Sequence, residues 1–218
     1  STLVVTGNAN LQAGANAISL DNAGSHNFGT LTFVGGAVTI TENSAMTLAG
    51  TNTATSLILT STGAMDDGSA ATLSVTNNAN FQAGVNAISL DNAASHNLGS
   101  LTFAGGAVAI TENSSTTLAG ANTATSLILT SAGAITQSGA LTVTGVTTLA
   151  SGTTNDITLN NAGNNFSTVG ITSGKDVTLV DANAIVLGTI TTASNLTVSG
   201  VGITQTGSLT VGGASTFN

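Results

Sequence analysis

The chain has 218 residues, 41% of them apolar, with one lysine, no arginine and nine acids, for a formal net charge of −8. A single base cannot neutralise a phosphate backbone, which sets nucleic acid aside as a partner, and the high apolar fraction with only 5% charged residues argues against disorder. Cysteine is absent, so there is neither a disulfide nor a thiolate metal site, and no run of about 18 apolar residues could cross a membrane as a helix.

The first element, Leu3-Val4-Val5-Thr6, returns as Leu73-Ser74-Val75-Thr76, as Leu141-Thr142-Val143-Thr144, and as Leu209-Thr210-Val211. The elements that follow keep the same order. Gln12-Ala13-Gly14 matches Gln82-Ala83-Gly84. Ile18-Ser19-Leu20-Asp21-Asn22 matches Ile88-Ser89-Leu90-Asp91-Asn92, with Ile157-Thr158-Leu159-Asn160-Asn161 as a third version. Ile40-Thr41-Glu42-Asn43-Ser44 matches Ile110-Thr111-Glu112-Asn113-Ser114. Ser56-Leu57-Ile58-Leu59 matches Ser126-Leu127-Ile128-Leu129, and loosely Asn195-Leu196-Thr197-Val198. A fixed period of about 70 residues in a Thr-, Asn- and Gly-rich chain points to a solenoid. The sequence divides into repeats 3–72, 73–140 and 141–208, with 209–218 starting a fourth, all in a single β-solenoid over 1–218. The first linker, Asp66 to Thr72, is longer than its counterpart Thr136 to Ala140, a change that a surface turn absorbs.

Within the third repeat the strand signals are Leu141-Thr142-Val143, Thr147-Thr148-Leu149, Ile157-Thr158-Leu159, Phe166 to Val169, Val177 to Val180, Ile185-Val186-Leu187, Leu196-Thr197-Val198 and Ile203-Thr204-Gln205. Most read apolar-Thr-apolar, a period of two, and turn-tolerant Gly, Asn, Asp and Ser separate them. No stretch shows a helical stripe. Strands this short suit the coils of a parallel β-helix, in which each coil hydrogen-bonds to the ones above and below. About three coils of three strands, or four shorter coils, are expected per repeat. The general preference for right-handed parallel connections makes the expected hand right. Leu20, Leu90 and Leu159 are the representative core positions, and Phe28, Phe33, Phe103 and Phe166 also fall inward.

Three runs carry a resemblance: Ile135 to Gly145, Asn155 to Phe166, and Val177-Thr178-Leu179-Val180-Asp181-Ala182-Asn183. In these the chain resembles the repeat region of filamentous-haemagglutinin-like adhesins, which are two-partner-secreted bacterial surface proteins akin to autotransporter passengers. The resemblance implies a right-handed parallel β-helix, a Gram-negative cell surface or extracellular location, and a role in adhesion or biofilm. The lack of cysteine fits export in an unfolded state. Beginning at Ser1 in a strand-like run, the chain reads as a mature or excised section of something longer.

No residue is assigned a catalytic, cofactor-binding or metal-binding role. His26 and His96 occupy equivalent positions, and a metal needs several ligands together, so they read as turn histidines. Asp66-Asp67-Gly68 reads as a turn rather than a carboxylate pair for calcium or acid–base work. Asp21, Asp91, Glu42 and Glu112 recur once per repeat and read as turn acids that keep the protein soluble. Lys175 stands in a turn, too isolated to stabilise a lyase carbanion. The expected function is a rigid spacer or scaffold in a secreted surface adhesin or matrix filament. Its expected partners are other copies of itself or neighbouring repeats, with a host-surface or matrix polysaccharide as ligand. Two alternatives remain open: end-to-end self-assembly into a fibre or sheath, and ice or glycan binding through outward Thr and Asn ladders, which for ice needs an outward Thr pair on every coil.

Overall fold

Threonine, valine and isoleucine alternate with polar residues through this chain because β-branched side chains suit an extended, half-buried backbone. The computed structural model describes residues 2–22, 26–92 and 96–218, and all its regular elements there are strands. The turn residues Ala23 to Ser25 and Ala93 to Ser95 lie outside the described residues. Among the described residues the strands pair in parallel, as a β-solenoid requires. The chain forms two compact units, 1–112 and 113–218.

In the first unit one inward column runs Ile18, Val38, Leu57, Ala79, Leu101, each directly above the last. A second runs Met46, Met65, Ile88, Val108. A third passes from Asn52 through Leu73 to His96. In the second unit the corresponding columns are Ile135, Ile157, Val177, Leu196; Leu127, Thr147, Val169, Leu187; and Asn122 with Leu141. One turn of the solenoid thus runs from Val177 to Leu196, and a longer one, with more residues in its corners, from Leu73 to His96.

The sequence repeat is not a whole number of these coils. Ile18 and Ile88 are equivalent in sequence, yet three coils above Ile18 its column holds Ala79, and Ile88 stands in the next column along the chain. Leu127 and Leu196, equivalent in the second unit, also occupy different columns. Each repeat thus advances three coils and one column, against the expected three or four whole coils. The step is tolerated because the columns are chemically alike: each asks for an apolar side chain at every second residue.

The expected strands are present, several of them fused. Leu141–Ala150 covers two of the short signals, and Asn165–Ser173 extends the one at Phe166 to Val169. Leu90, Leu159, Phe28, Phe33, Phe103 and Phe166 are buried, whereas Leu20 is only half-buried. At the corners, glycine lets one coil touch the next. A Cβ on Gly29 or Gly99 would overlap the carbonyl oxygen of Thr6 or Thr76 on the coil below. Tight corners of this kind are where a missing side chain is needed.

Candidate functional site

The chemistry-bearing residues that recur with the repeat converge on the contacts between coils. Glu42 and Glu112, expected as solvent-facing turn acids, are 0% and 2% exposed. Each follows a buried strand by alternation, so its side chain points inward at the corner. Glu42 Oε1 accepts the Phe28 N–H at 2.8 Å and the Ser44 hydroxyl at 3.0 Å. Glu112 Oε1 accepts the Leu98 N–H at 2.9 Å. In the third copy Asp181 takes the place of the glutamate: Oδ2 accepts the Phe166 N–H at 2.8 Å and Oδ1 the Asn183 N–H at 2.7 Å. A main-chain N–H left at a buried corner would otherwise be unpaired, and an ionised acceptor makes the stronger bond. Asp21 and Asp91 do face solvent, as expected.

The histidines are also not turn residues. His26 and His96 open strands and are buried. His96 Nε2 lies 2.7 Å from Asp67 Oδ2, and that oxygen also accepts the Asn92 N–H at 3.0 Å. Asp66-Asp67-Gly68 does make a turn, with Gly68 at φ +57° and its N–H on Asp66 Oδ1 at 2.6 Å. Asp67, however, is buried and points to the next coil. The junction between the second and third copies replaces both partners together. Gln137 holds the place of Asp67 in the repeat, and Asn164 the place of His96. They form a reciprocal amide pair, Gln137 Nε2 to Asn164 Oδ1 at 2.8 Å and Asn164 Nδ2 to Gln137 Oε1 at 2.9 Å. One interlock between coils thus exists in an ionisable and a neutral version.

Sequence reasoning missed this pairing, and also Asn52 and Asn122, which fill buried inward positions. Asn52 Oδ1 accepts the Phe33 N–H at 3.0 Å while its amide donates to the Ala49 carbonyl at 3.1 Å. The available signal was covariation between copies: Asp67 with His96 against Gln137 with Asn164.

The outward face of the second unit carries one threonine per coil: Thr117 beside Thr136, then Thr158, Thr178, Thr197 and Thr216 in register. The Thr117 and Thr136 hydroxyls are 3.1 Å apart. A second file runs beside it, at the positions just before each strand. Asp156 Oδ1 accepts the Asp176 N–H, Asp176 Oδ1 the Asn195 N–H, and Asn195 Oδ1 the Ala214 N–H, at 3.3, 3.1 and 3.0 Å. Lys175 sits against it, 3.3 Å from Asp176 and 3.7 Å from Asp156. The Asn195 N–H, chiefly, holds the Asp176 carboxyl down to about 2. Beside Thr158, Thr178 and Thr197 the threonine file is flanked on one side by Asp156, Asp176 and Asn195. Among the described residues no group of three or more acids and histidines is placed to hold a metal.

A family model described as repeats of unknown function matches residues 1–34, 35–104, 105–173 and 174–218. No curated protein and no solved structure matches the chain. The two middle matches each cover one full period, the same period that steps the coils by one column. This chain belongs to the family of repeats of unknown function designated DUF5649.

Proposed function

We propose that this chain is a structural section of a secreted bacterial surface adhesin or extracellular matrix filament, acting as a stiff β-solenoid scaffold. The observation that supports this most is the destination of the recurrent polar residues. Glu42, Glu112 and Asp181 take main-chain N–H groups across a corner, and Asp67–His96 and Gln137–Asn164 tie one coil to the next. The chemistry that the repeat preserves is cohesive. Stiffness follows from parallel ladders running coil to coil, from inward apolar columns and from these interlocks, each of which resists bending between neighbouring coils. The surface location is supported by the adhesin-like runs at 135–145, 155–166 and 177–183 and by a cysteine-free composition that suits export.

The test is labelling of intact source bacteria with an antibody raised against the folded chain. Labelling of unpermeabilised cells, removed by brief external protease, is the expected result. Labelling only after permeabilisation overturns the reading. A mechanical companion uses the chain held between two marker domains in a force spectrometer. Coils are expected to come away in steps of about 70 Å, the reach of about 20 extended residues; smooth extension without resistance contradicts a stiff scaffold.

A further inference from the structure

The linker at residues 66–72 is longer than its counterpart at 136–140, and the two meet the preceding coil differently. In the shorter linker the Ser138 N–H bonds the Leu118 carbonyl at 2.8 Å. Gly139 lies so close to Gly120 that a Cβ on it would overlap the Gly120 carbonyl. The coil is sealed there. In the longer linker Gly68 stands where Ser138 stands, but its N–H turns back to Asp66 Oδ1 at 2.6 Å. The chain closes on Gly50 only at Thr72, whose N–H bonds the Gly50 carbonyl at 2.8 Å. Among the described residues no donor reaches the carbonyl of Leu48, the counterpart of Leu118, although Leu48 is buried. A buried carbonyl without a donor is costly. Beside it, between the turn 67–71 and the corner 48–50, is a cavity of about 200 Å³ with Thr30 and Thr47 on its wall.

The chemistry of the lining narrows the occupant. Thr30 Oγ1 donates to Asn8 Oδ1 at 2.9 Å, so towards the cavity it offers lone pairs. Ser69 and Thr47 bring hydroxyls that both donate and accept, and Ala70 and Ala71 bring methyl groups. Acceptors outnumber donors, and the chain carries a net charge of −8, so an anion is disfavoured. A metal ion is not matched either. No group of three or more acids and histidines stands together among the described residues, and Asp67 Oδ2 is already engaged by His96 and the Asn92 N–H. Hydroxyl groups fit best, because each donates and accepts at one atom. The volume is below the about 300–1,000 Å³ of sites for drug-sized ligands, which suits one sugar ring and not a run of them.

We propose that this cavity binds one neutral sugar residue. A sugar hydroxyl donates to the Leu48 carbonyl, and a neighbouring one donates to Thr30 and accepts from Ser69. The added residues of the first linker thus make one junction of the solenoid a binding point, while the shorter linker leaves the other a plain seal. The inference is independent of the scaffold reading, since the site needs only the two coils that form it.

The experiment titrates the full chain with the methyl glycosides of glucose, galactose, mannose and N-acetylglucosamine, one at a time, and reads backbone amide shifts. At least one is expected to give saturable shifts at 47–50 and 67–72 and none at 117–120 and 137–140, which serve as the internal control. Thr30→Val should weaken that binding about fivefold, the scale of one neutral hydrogen bond. Deleting Ser69 and Ala70, which copies the shorter linker, should abolish it. Both variants are checked for an intact fold by the unchanged amide spectrum of 113–218, and Thr30→Val carries the test if the deletion fails that check. No saturable shift with any of the four glycosides overturns the proposal, as do equal shifts at both linkers or binding that survives both variants. Ethylammonium or acetate giving the same shifts where the glycosides give none also overturns it, and would reassign the cavity to a charged ligand.

Discussion

Asp67 and His96 touch at 2.7 Å with side chains 3% and 1% exposed, so changing one strands the other. His96→Ala or Asp67→Ala is expected to destabilise by about 3 kcal/mol, the scale of an uncompensated buried partner. The Asp67→Gln, His96→Asn double variant copies the Gln137–Asn164 amide pair between the second and third repeats, and should recover most of that loss in a denaturant midpoint. A double variant worse than either single change would refute the equivalence. Two further residues set opposite pH responses. Burial raises the Glu42 carboxyl above 4.5, against the opposing bonds from Phe28 and Ser44. A raised folded value means that the folded state binds the proton more readily. Stability from this group therefore rises as pH falls from neutral through that value, and levels off below 4.5. Asp176 works in reverse, held from 3.8 down to about 2 first by the Asn195 N–H. Its contribution is complete above 3.8 and is lost as pH falls through about 2. Urea midpoints taken from neutral to strongly acidic pH should show both limbs. Glu42→Gln, which keeps an acceptor for Phe28, should flatten the upper limb, and Asp176→Asn should soften the lower one. A lower limb unchanged in Asp176→Asn would count against this account.

Strands carry the stability. Leu159 is fully buried and lies beneath Leu179 on the next coil, so Leu159→Ala should cost about 2–5 kcal/mol. Its outward neighbour Thr158 should tolerate alanine within about 0.5 kcal/mol. Equal effects in chemical denaturation would refute the inward–outward assignment. These elements were legible because apolar-Thr-apolar is a local pattern, and Ile157, Leu159, Val177 and Leu179 all follow it. The fusion of Leu141–Ala150 into one strand was not, since the register shift between Val143 and Val146 turns the corner without leaving the ladder. The burial of Glu42 was equally hidden. Its bond partner, Phe28, lies on the far side of a long strand, and a charge after a strand looks locally like a turn. The coil length escaped for a related reason. Slots above one another hold different residues, such as Asn52, Leu73 and His96, so no coil-length period is written in the sequence.

For the molecule as a whole, the repeat junctions are interchangeable. Leu73 pairs with Asn52 as Leu141 pairs with Asn122. Deleting residues 73–140 joins Thr72 to Leu141 and offers Asn52 the same neighbour. The shortened chain is expected to fold cooperatively, with a denaturant slope reduced in proportion to the surface lost. Loss of cooperative unfolding would show that the two copies are not equivalent. Within each unit, equivalent residues of successive repeats stand three coils and one column apart, Ile88 from Ile18 in the first and Leu196 from Leu127 in the second. A repeat added within such a unit therefore shifts equivalent residues along the solenoid and around it at once. In an array built on this step, a binder approaching from a fixed direction meets the same residues only at every third copy. Recurrent surface residues then wind around the array as a spiral and cannot form a stripe, and a gain or loss of one copy changes which side a downstream epitope faces.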